Sequence, residues 1–416
     1  MMKIKIVFLG LSLLGVAAYG QENLNKYLVI AVENNPGLKA EFNRYLAAME
    51  QIPQARALPD PQLTFSLFAQ PVETRVGPQR ASIAVSQAFP WFGTLKARGE
   101  VATRLAESRL KNFEDQKLAL FKEVKITYSE LYFIHKSILL TEENLALLNS
   151  FKELVRVNFE SGKTGFVNVL RVEMDYEELQ NRLALLNDSK QALLIQFENL
   201  LNYQLDQPPA FPEILWEETL KEAKQTLYDS IVSRNLQLRQ LQSQLAAQDK
   251  KMEVADLTGK PSFTLGMSYI NIGERPEAGI PGNGQDALLF PQAGLNIPLY
   301  RKKYEALKNQ EELRKESLQY QIEAKSDRLI TKLETLIRDH LDAARRRSLY
   351  QKLYELAEQS LSLLQTEFVT GKTDFADVLR MERRLLSYQL ELEKARVDAN
   401  NTVYEVDYLM GRGEDD

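Results

Sequence analysis

Residues Phe159–Met174, FESGKTGFVNVLRVEM, return 209 positions later as Phe368–Arg383, FVTGKTDFADVLRMER, with nine of the sixteen positions identical. In a chain of 416 residues, an offset of half the length implies two copies of one large unit, not a solenoid of short ones. Whatever fold forms must accept the same segment twice, in two similar halves.

The stretches around these segments are helical by composition. Glu100–Ser161 holds 62 residues and Leu299–Thr370 holds 72, all without Gly or Pro. Phe166–Gln207, Glu213–Thr258 and Asp374–Met410 are further uninterrupted runs, apart from Pro212 just outside the second. Leu, Glu, Lys, Gln, Arg and Ala dominate them, the strongest helix formers. Phe121, Val124, Tyr128 and Leu131 alternate 3 and 4 apart, with Ile138 and Leu145 extending the stripe, and Leu329, Leu333 and Leu336 repeat it. That is coiled-coil spacing. At 1.5 Å per residue the longest run spans roughly 100 Å, far beyond an ordinary globular helix. Gly162 and Gly371 suit the left-handed residue that ends a helix. Asp374 suits the cap of the next, with Thr164 or Thr373 as alternatives. Each half therefore reads as a long helical hairpin with the repeated motif at its tip.

Two regions per chain switch to a period of 2. Leu63, Phe65, Leu67 and Ala69 alternate with Thr64 and Ser66; Ile83, Val85 and Phe89 alternate with Ser82, Ala84, Ser86 and Ala88. In the second half, Phe263, Leu265, Met267 and Tyr269 alternate with Ser262, Thr264, Gly266 and Ser268. Leu289, Ala293, Leu295, Ile297 and Leu299 form the last apolar set. These runs predict strands at about 62–70, 80–89, 262–271 and 287–299, joined by turn-rich loops at Pro71–Gln79 and Ile272–Asp286. Apolar residues facing one way and small polar residues the other, over about 9–11 residues, is the pattern of a tilted transmembrane strand. A water-soluble hairpin gives the same alternation. Four strands in hydrocarbon leave two open edges, so the membrane reading requires several chains; three give twelve strands.

The N-terminus reads as a secretory signal over residues 1–20. Lys3 and Lys5 precede an apolar run, and Ala18-Tyr19-Gly20 supplies the small residues of a cleavage site before Gln21. The formal charge is −5, about −7 without the two signal lysines, which argues against nucleic acid as a partner. There is no Cys, so disulfides, thiolate metal sites and an N-terminal lipid anchor on Cys are excluded. His135 and His340 are the only histidines, and neither has a nucleophile or ligand partner in view; no cofactor and no enzymatic site are expected. The chain divides into signal (1–20), first repeat (21–207), a proline-rich midpoint segment (208–222, beginning Pro208-Pro209) and second repeat (223–416).

Two helical hairpins, each with a strand pair, and the duplicated pattern Gly-x5-(Asp/Asn)-Val-Leu together resemble the TolC-like outer-membrane efflux protein family. The pattern stands at Gly162…Asn168-Val169-Leu170 and Gly371…Asp377-Val378-Leu379. Pro59-Asp60-Pro61 and Phe89-Pro90-Trp91-Phe92-Gly93 look like its heavy-metal-efflux branch. The resemblance implies a mainly α fold with transmembrane β-strands, a trimer carrying a 12-stranded β-barrel on a 12-helix α-barrel. It further implies a passive exit duct in the outer membrane with a large periplasmic portion. The implied partners are outer-membrane lipid, a periplasmic adaptor (membrane fusion) protein and an inner-membrane pump of the resistance-nodulation-division type. The cargo would be small molecules or metal ions. A soluble periplasmic coiled-coil adaptor or scaffold is the competing reading; four strands with consistently apolar faces count against it.

The resemblance places Asp377 at a pore ring near the periplasmic end, with Arg380, Asn168 and Arg171 beside it. Asn168 departs from the family's Asp, and Arg171 and Arg380 stand where another Asp is frequent. A simple surface i,i+3 pair is the plain alternative for Asp377 and Arg380. Gly162, Lys163, Thr164 and Gly165, with Gly371, Lys372, Thr373 and Asp374, are the expected adaptor-docking tips. Gly-Lys-Thr here is not a phosphate-binding loop: Val157 and Thr366 occupy the positions that require Gly, and a helix, not a strand, precedes it.

Overall fold

The computed structural model describes residues 23–276, 279–370 and 372–413. The expected signal segment and Gly371 lie outside them. Helix α1 covers residues 23–34 and α2 covers Pro36–Arg56, followed by β1 (Gln62–Thr74) and β2 (Gly77–Phe89). The long α3 (Thr94–Glu160) and α4 (Phe166–Leu201) complete the first half. The second half repeats the order with α5 (Lys224–Arg234), α6 (Leu236–Thr258), β3 (Ser262–Ile272), β4 (Ala287–Asn296), α7 (Arg301–Val369) and α8 (Phe375–Leu409). Among the described residues no helix is long and apolar enough to cross a membrane. The chain forms two compact units, each drawing on both halves. One, wholly helical apart from its connections, holds residues 23–40, 113–236 and 326–413; the other, with the strands, holds 41–112 and 237–325.

The repeat is reproduced in backbone detail at both ends of α4 and α8. Where α3 stops, the Lys163 N–H donates to Asn158 O (2.8 Å) and the Gly162 N–H to Phe159 O (2.9 Å), with Gly162 at φ +71°. This is the Schellman closure, which satisfies carbonyls the helix end would orphan. After α7 the equivalent Lys372 N–H donates to Glu367 O at 2.9 Å. Phe159 packs on Phe166 with ring centroids 5.4 Å apart, and their counterparts Phe368 and Phe375 lie 5.1 Å apart. Beyond α4, Asn202 takes φ +46°; beyond α8, Gly411 takes φ +67° at the same 209 offset, each again inside a Schellman closure. The expected stripe is internal: Val124, Tyr128, Leu131 and Ile138 are buried, as are Leu329, Leu333 and Leu336.

One run expected to be unbroken is interrupted twice. Glu213–Thr258 is not one helix. Residues 213–223 are non-helical and are held by side chains: the Leu215 N–H donates to Tyr132 Oη (3.1 Å) and the Glu218 N–H to Asn400 Oδ1 (2.9 Å), while Asn400 Nδ2 donates to Trp216 O (2.8 Å). Tyr132 in turn donates to Glu393, itself paired with Arg396. A second break at Asn235 separates α5 from α6, where buried Asn235 Nδ2 donates to Leu409 O at 2.9 Å. The break between α1 and α2 matches it: Asn35 Nδ2 donates to Leu200 O at 3.1 Å, and Asn35 Oδ1 caps the Leu38 N–H. Leu200 and Leu409 are themselves 209 apart, so a second duplicated motif, Val-x-x-Asn-x-x-Leu at Val32…Leu38 and Val232…Leu238, stands at an offset of 200.

The four strands form one antiparallel sheet in the order β1-β2-β3-β4, with β1 and β4 as its edges. Directly paired residues share a face. One face therefore carries the rows Leu63–Val85–Met267 and Phe65–Ile83–Tyr269–Leu288, all exposed. The other carries Thr64–Ala84–Ser268 and Ser66–Ser82. Leu289 departs from the sequence expectation: it pairs with Ser268, on the small polar face. Two residues of β4, Phe290 and Pro291, oppose the single Met267, and this bulge shifts the alternation by one. Pro291 has no N–H for the ladder, which fits a bulge on an edge strand. Strand β4 ends at Asn296, before Pro298, so Ile297 and Leu299 lie beyond it. Conversely, β1 and β2 run through most of the expected Pro71–Gln79 loop to a tight turn at Arg75-Val76. There Gly77, at φ +133°, lies against the carbonyl of Gly273 with no room for a Cβ. The Trp91-Phe92 turn leads from β2 into α3, and Trp91 stacks on Phe263 at 5.9 Å.

Candidate functional site

The helical unit brings the two repeated tips together. Asn168, in the first turn of α4, donates from Nδ2 to Thr164 Oγ1 (2.8 Å) and across to Asp374 Oδ1 (3.3 Å) on the other hairpin. Asp374 is the N-cap of α8: its carboxylate accepts the Ala376 N–H at 3.2 Å. The equivalent cap of α4 is Gly165, which has no side chain to offer, and Thr164 serves Asn168 instead. Lys163, Gly165 and Lys372 are exposed, and Thr164 and Thr373 half-buried. Nothing lies within 4 Å of a Cβ built on Gly162, so its glycine answers to backbone conformation and not to close approach.

Asp377 and Arg380 form an i,i+3 ion pair at 3.0 Å on α8. Their repeat counterparts make the uncharged version: Arg171 Nη1 donates to Asn168 Oδ1 at 3.3 Å. Sequence reasoning missed what surrounds them. Arg171, Arg380, Arg383 and Arg384 line one open cavity of about 500 Å³ with Tyr388. Arg383 pairs with the buried Asp175 at 2.8 Å. Burial pushes Asp175 up, Arg383 holds it down, and neighbouring Glu178 raises it again. The sequence signal was present as Arg383-Arg384 next to the repeated motif, but its convergence with Arg171 needs α4 packed on α8.

The identical motifs also sit in unlike surroundings. Phe375, Val378 and Leu379 are buried in a core with Leu148, Val155, Val172 and Leu179. Their first-half counterparts differ: Phe166 is 53% exposed and Leu170 47%, next to exposed Val167 and Met174. The first tip thus presents an apolar strip that the second hides.

The histidines are packed. His135 lies against Phe211 with ring centroids 5.3 Å apart, and burial, aided by Lys190 and Lys136, holds it below the usual imidazole range. His340 Nδ1 is 3.0 Å from Thr402 Oγ1. Arg346 of the Arg345-Arg346-Arg347 run bonds Asp342 and Asp398, and Arg347 pairs with Glu217. Among the described residues no cluster of His, Asp and Glu has the arrangement of a metal site.

The comparisons with known proteins fall on this architecture. CusC superposes with a TM-score of 0.81 at 15% identity, over 94% of this chain and 92% of that one. The outer-membrane channel OprN gives 0.79 at 16%, over 94% and 90%. VceC, an outer membrane protein of Vibrio cholerae, gives 0.78 at 17%, over 95% and 99%. Among curated proteins none matches the chain by sequence. At these identities the structural likenesses carry the fold alone. The family model described as "Outer membrane efflux protein" matches residues 28–203 and 227–412, taking in both hairpins, both strand pairs and both tips. The chain belongs to the outer membrane efflux protein family, whose members are channels and not enzymes.

Proposed function

We propose that this protein is the exit duct of a tripartite efflux assembly. Three copies place their sheets edge to edge as a 12-stranded barrel in the outer membrane and their hairpins as a 12-helix periplasmic tunnel. An inner-membrane pump of the resistance-nodulation-division type delivers small molecules or metal ions, through a periplasmic adaptor (membrane fusion) protein that docks on the tips. The repeats, at 21–207 and 223–416 with 208–222 between, supply two hairpins per subunit. Asp377 and Arg380, with Asn168 and Arg171, form the gate.

The observation that carries this reading is the sheet. It exposes Leu63, Phe65, Ile83, Val85, Met267 and Tyr269 on one face and leaves two unpaired edges. Backbone groups at an open edge have no partner in hydrocarbon, so only closure with other copies suits a membrane. The exposed apolar strip Phe166-Val167-Leu170-Met174 supports contact at the first tip, and a soluble scaffold would leave both apolar surfaces in water. Mass measurement of the mature protein in mild detergent tests the assembly. Three copies are expected, and a clean monomer overturns it.

A further inference from the structure

Glu382 on α8 is 1% exposed, and neither carboxylate oxygen has a hydrogen-bond partner. The repeat explains why. Its counterpart, Glu173 on α4, is met by Lys152 of α3 at 2.7 Å. The residue 209 positions after Lys152 is Leu361 of α7, buried in the apolar core around Val378 and Leu379. The second half has kept the acid and lost its cation.

Glu382 lines a cavity of about 230 Å³ between α3, α4 and α8. The groups facing that cavity are Asn144 from α3, Asp175, Glu178 and Arg182 from α4, and Arg383 from α8 itself. Arg383 is engaged by Asp175. From α7 the same core receives apolar Leu361, Leu364 and Phe368. Burial, with no charged neighbour close enough to offset it, raises the Glu382 carboxyl to about 7.

We propose that Glu382 is a positioning residue of the second hairpin: protonated, it seats α8 against α3 and α4; ionised, it loosens that seat. The physical reason is that a buried, unpaired carboxylate is costly, whereas the neutral acid is tolerated. Water entering the adjacent cavity would solvate the anion once α8 shifts. The sign follows from linkage. A loosened state ionises in the ordinary Glu range while the seated state keeps its proton to about 7, so seating weakens as pH rises between those values and levels off above. Glu382 lies one turn beyond Val378 and Leu379, so the movement would be passed to Asp377 and Arg380. That consequence rests on the gate reading above; the seating itself does not.

The test is hydrogen exchange on the full-length assembled protein, read in α8 peptides from residues 375–390 and corrected for intrinsic pH dependence. Wild type is expected to open about tenfold more at pH 8 than at pH 6. Glu382→Gln, close in shape and uncharged, should remove that dependence and stay protected at both pH values. Leu361→Lys should restore the arrangement of the first half and protect α8 at pH 8. A pH-independent wild type, or a Glu382→Gln variant with wild-type pH dependence, overturns the proposal. If α8 responds through Glu382 while ion conductance across the same pH range does not, the seating stands and the gate assignment fails.

Discussion

At the residue scale, equal sequence does not mean equal demand. Gly162 and Gly165 stand three apart in one tip, yet only Gly162 has a left-handed backbone. Gly162→Val is expected to cost about 1–2 kcal/mol, since a β-branched residue is strained there even with open space around it. Gly165→Asp should instead stabilise by a few tenths of a kcal/mol, by supplying the cap that Asp374 already gives α8. Thermal unfolding of the assembled protein in detergent measures both, and equal destabilisation by the two variants would contradict the assignment. The helix stops and the Asp374 cap were legible in the sequence because they depend on neighbours a few residues away. The burial of Glu382 was not. It is set by the helices laid against α8, and its lack of a partner goes with Leu361 of α7 standing where the first half has Lys152; a displacement of this size corresponds to roughly 3 kcal/mol.

At the element scale, the helices follow their composition until a polar side chain from elsewhere claims their backbone. Asn35 and Asn235 each break a helix and bond the terminal carbonyl region of the repeat's last long helix, at Leu200 and Leu409. Asn235→Leu keeps the size and improves helix propensity, yet it removes the donor to the buried Leu409 carbonyl. A loss of about 1–3 kcal/mol is expected in denaturant unfolding, and a neutral or stabilised variant would show that the break is only a chain irregularity. This second repeat was missed because its offset is 200 and not 209, the second half carrying nine more residues between its helix break and its tip. The strands were legible from period 2. The phase shift at Phe290–Pro291 was not, because alternation alone does not say where an edge strand carries two residues against one.

At the scale of the whole molecule, the gate reading makes an electrical prediction. Asp377 is paired with Arg380, which lines one cavity with Arg171, Arg383 and Arg384. In water the Asp377–Arg380 pair is weak, but charges facing a narrow pore are less screened. Asp377→Asn should therefore lower cation preference in planar-bilayer recordings, and Arg380→Ala should raise it. Wild-type selectivity in both variants would place the gate elsewhere.

The sequence by itself determined the duplication, the helix and strand classes, the tip turns and the family, because each is written in local periodicity or in a short motif repeated at fixed spacing. Only the tertiary structure decided which copy of a motif is buried and which exposed. Phe166 and Phe375 occupy the same place in the same pattern, and one is open while the other is enclosed. The same holds for Glu173, paired at the surface, and Glu382, alone in the core. Packing sets those outcomes, because the environment of a helix face is made by the other helices laid against it, and two identical faces in one chain need not receive the same neighbours.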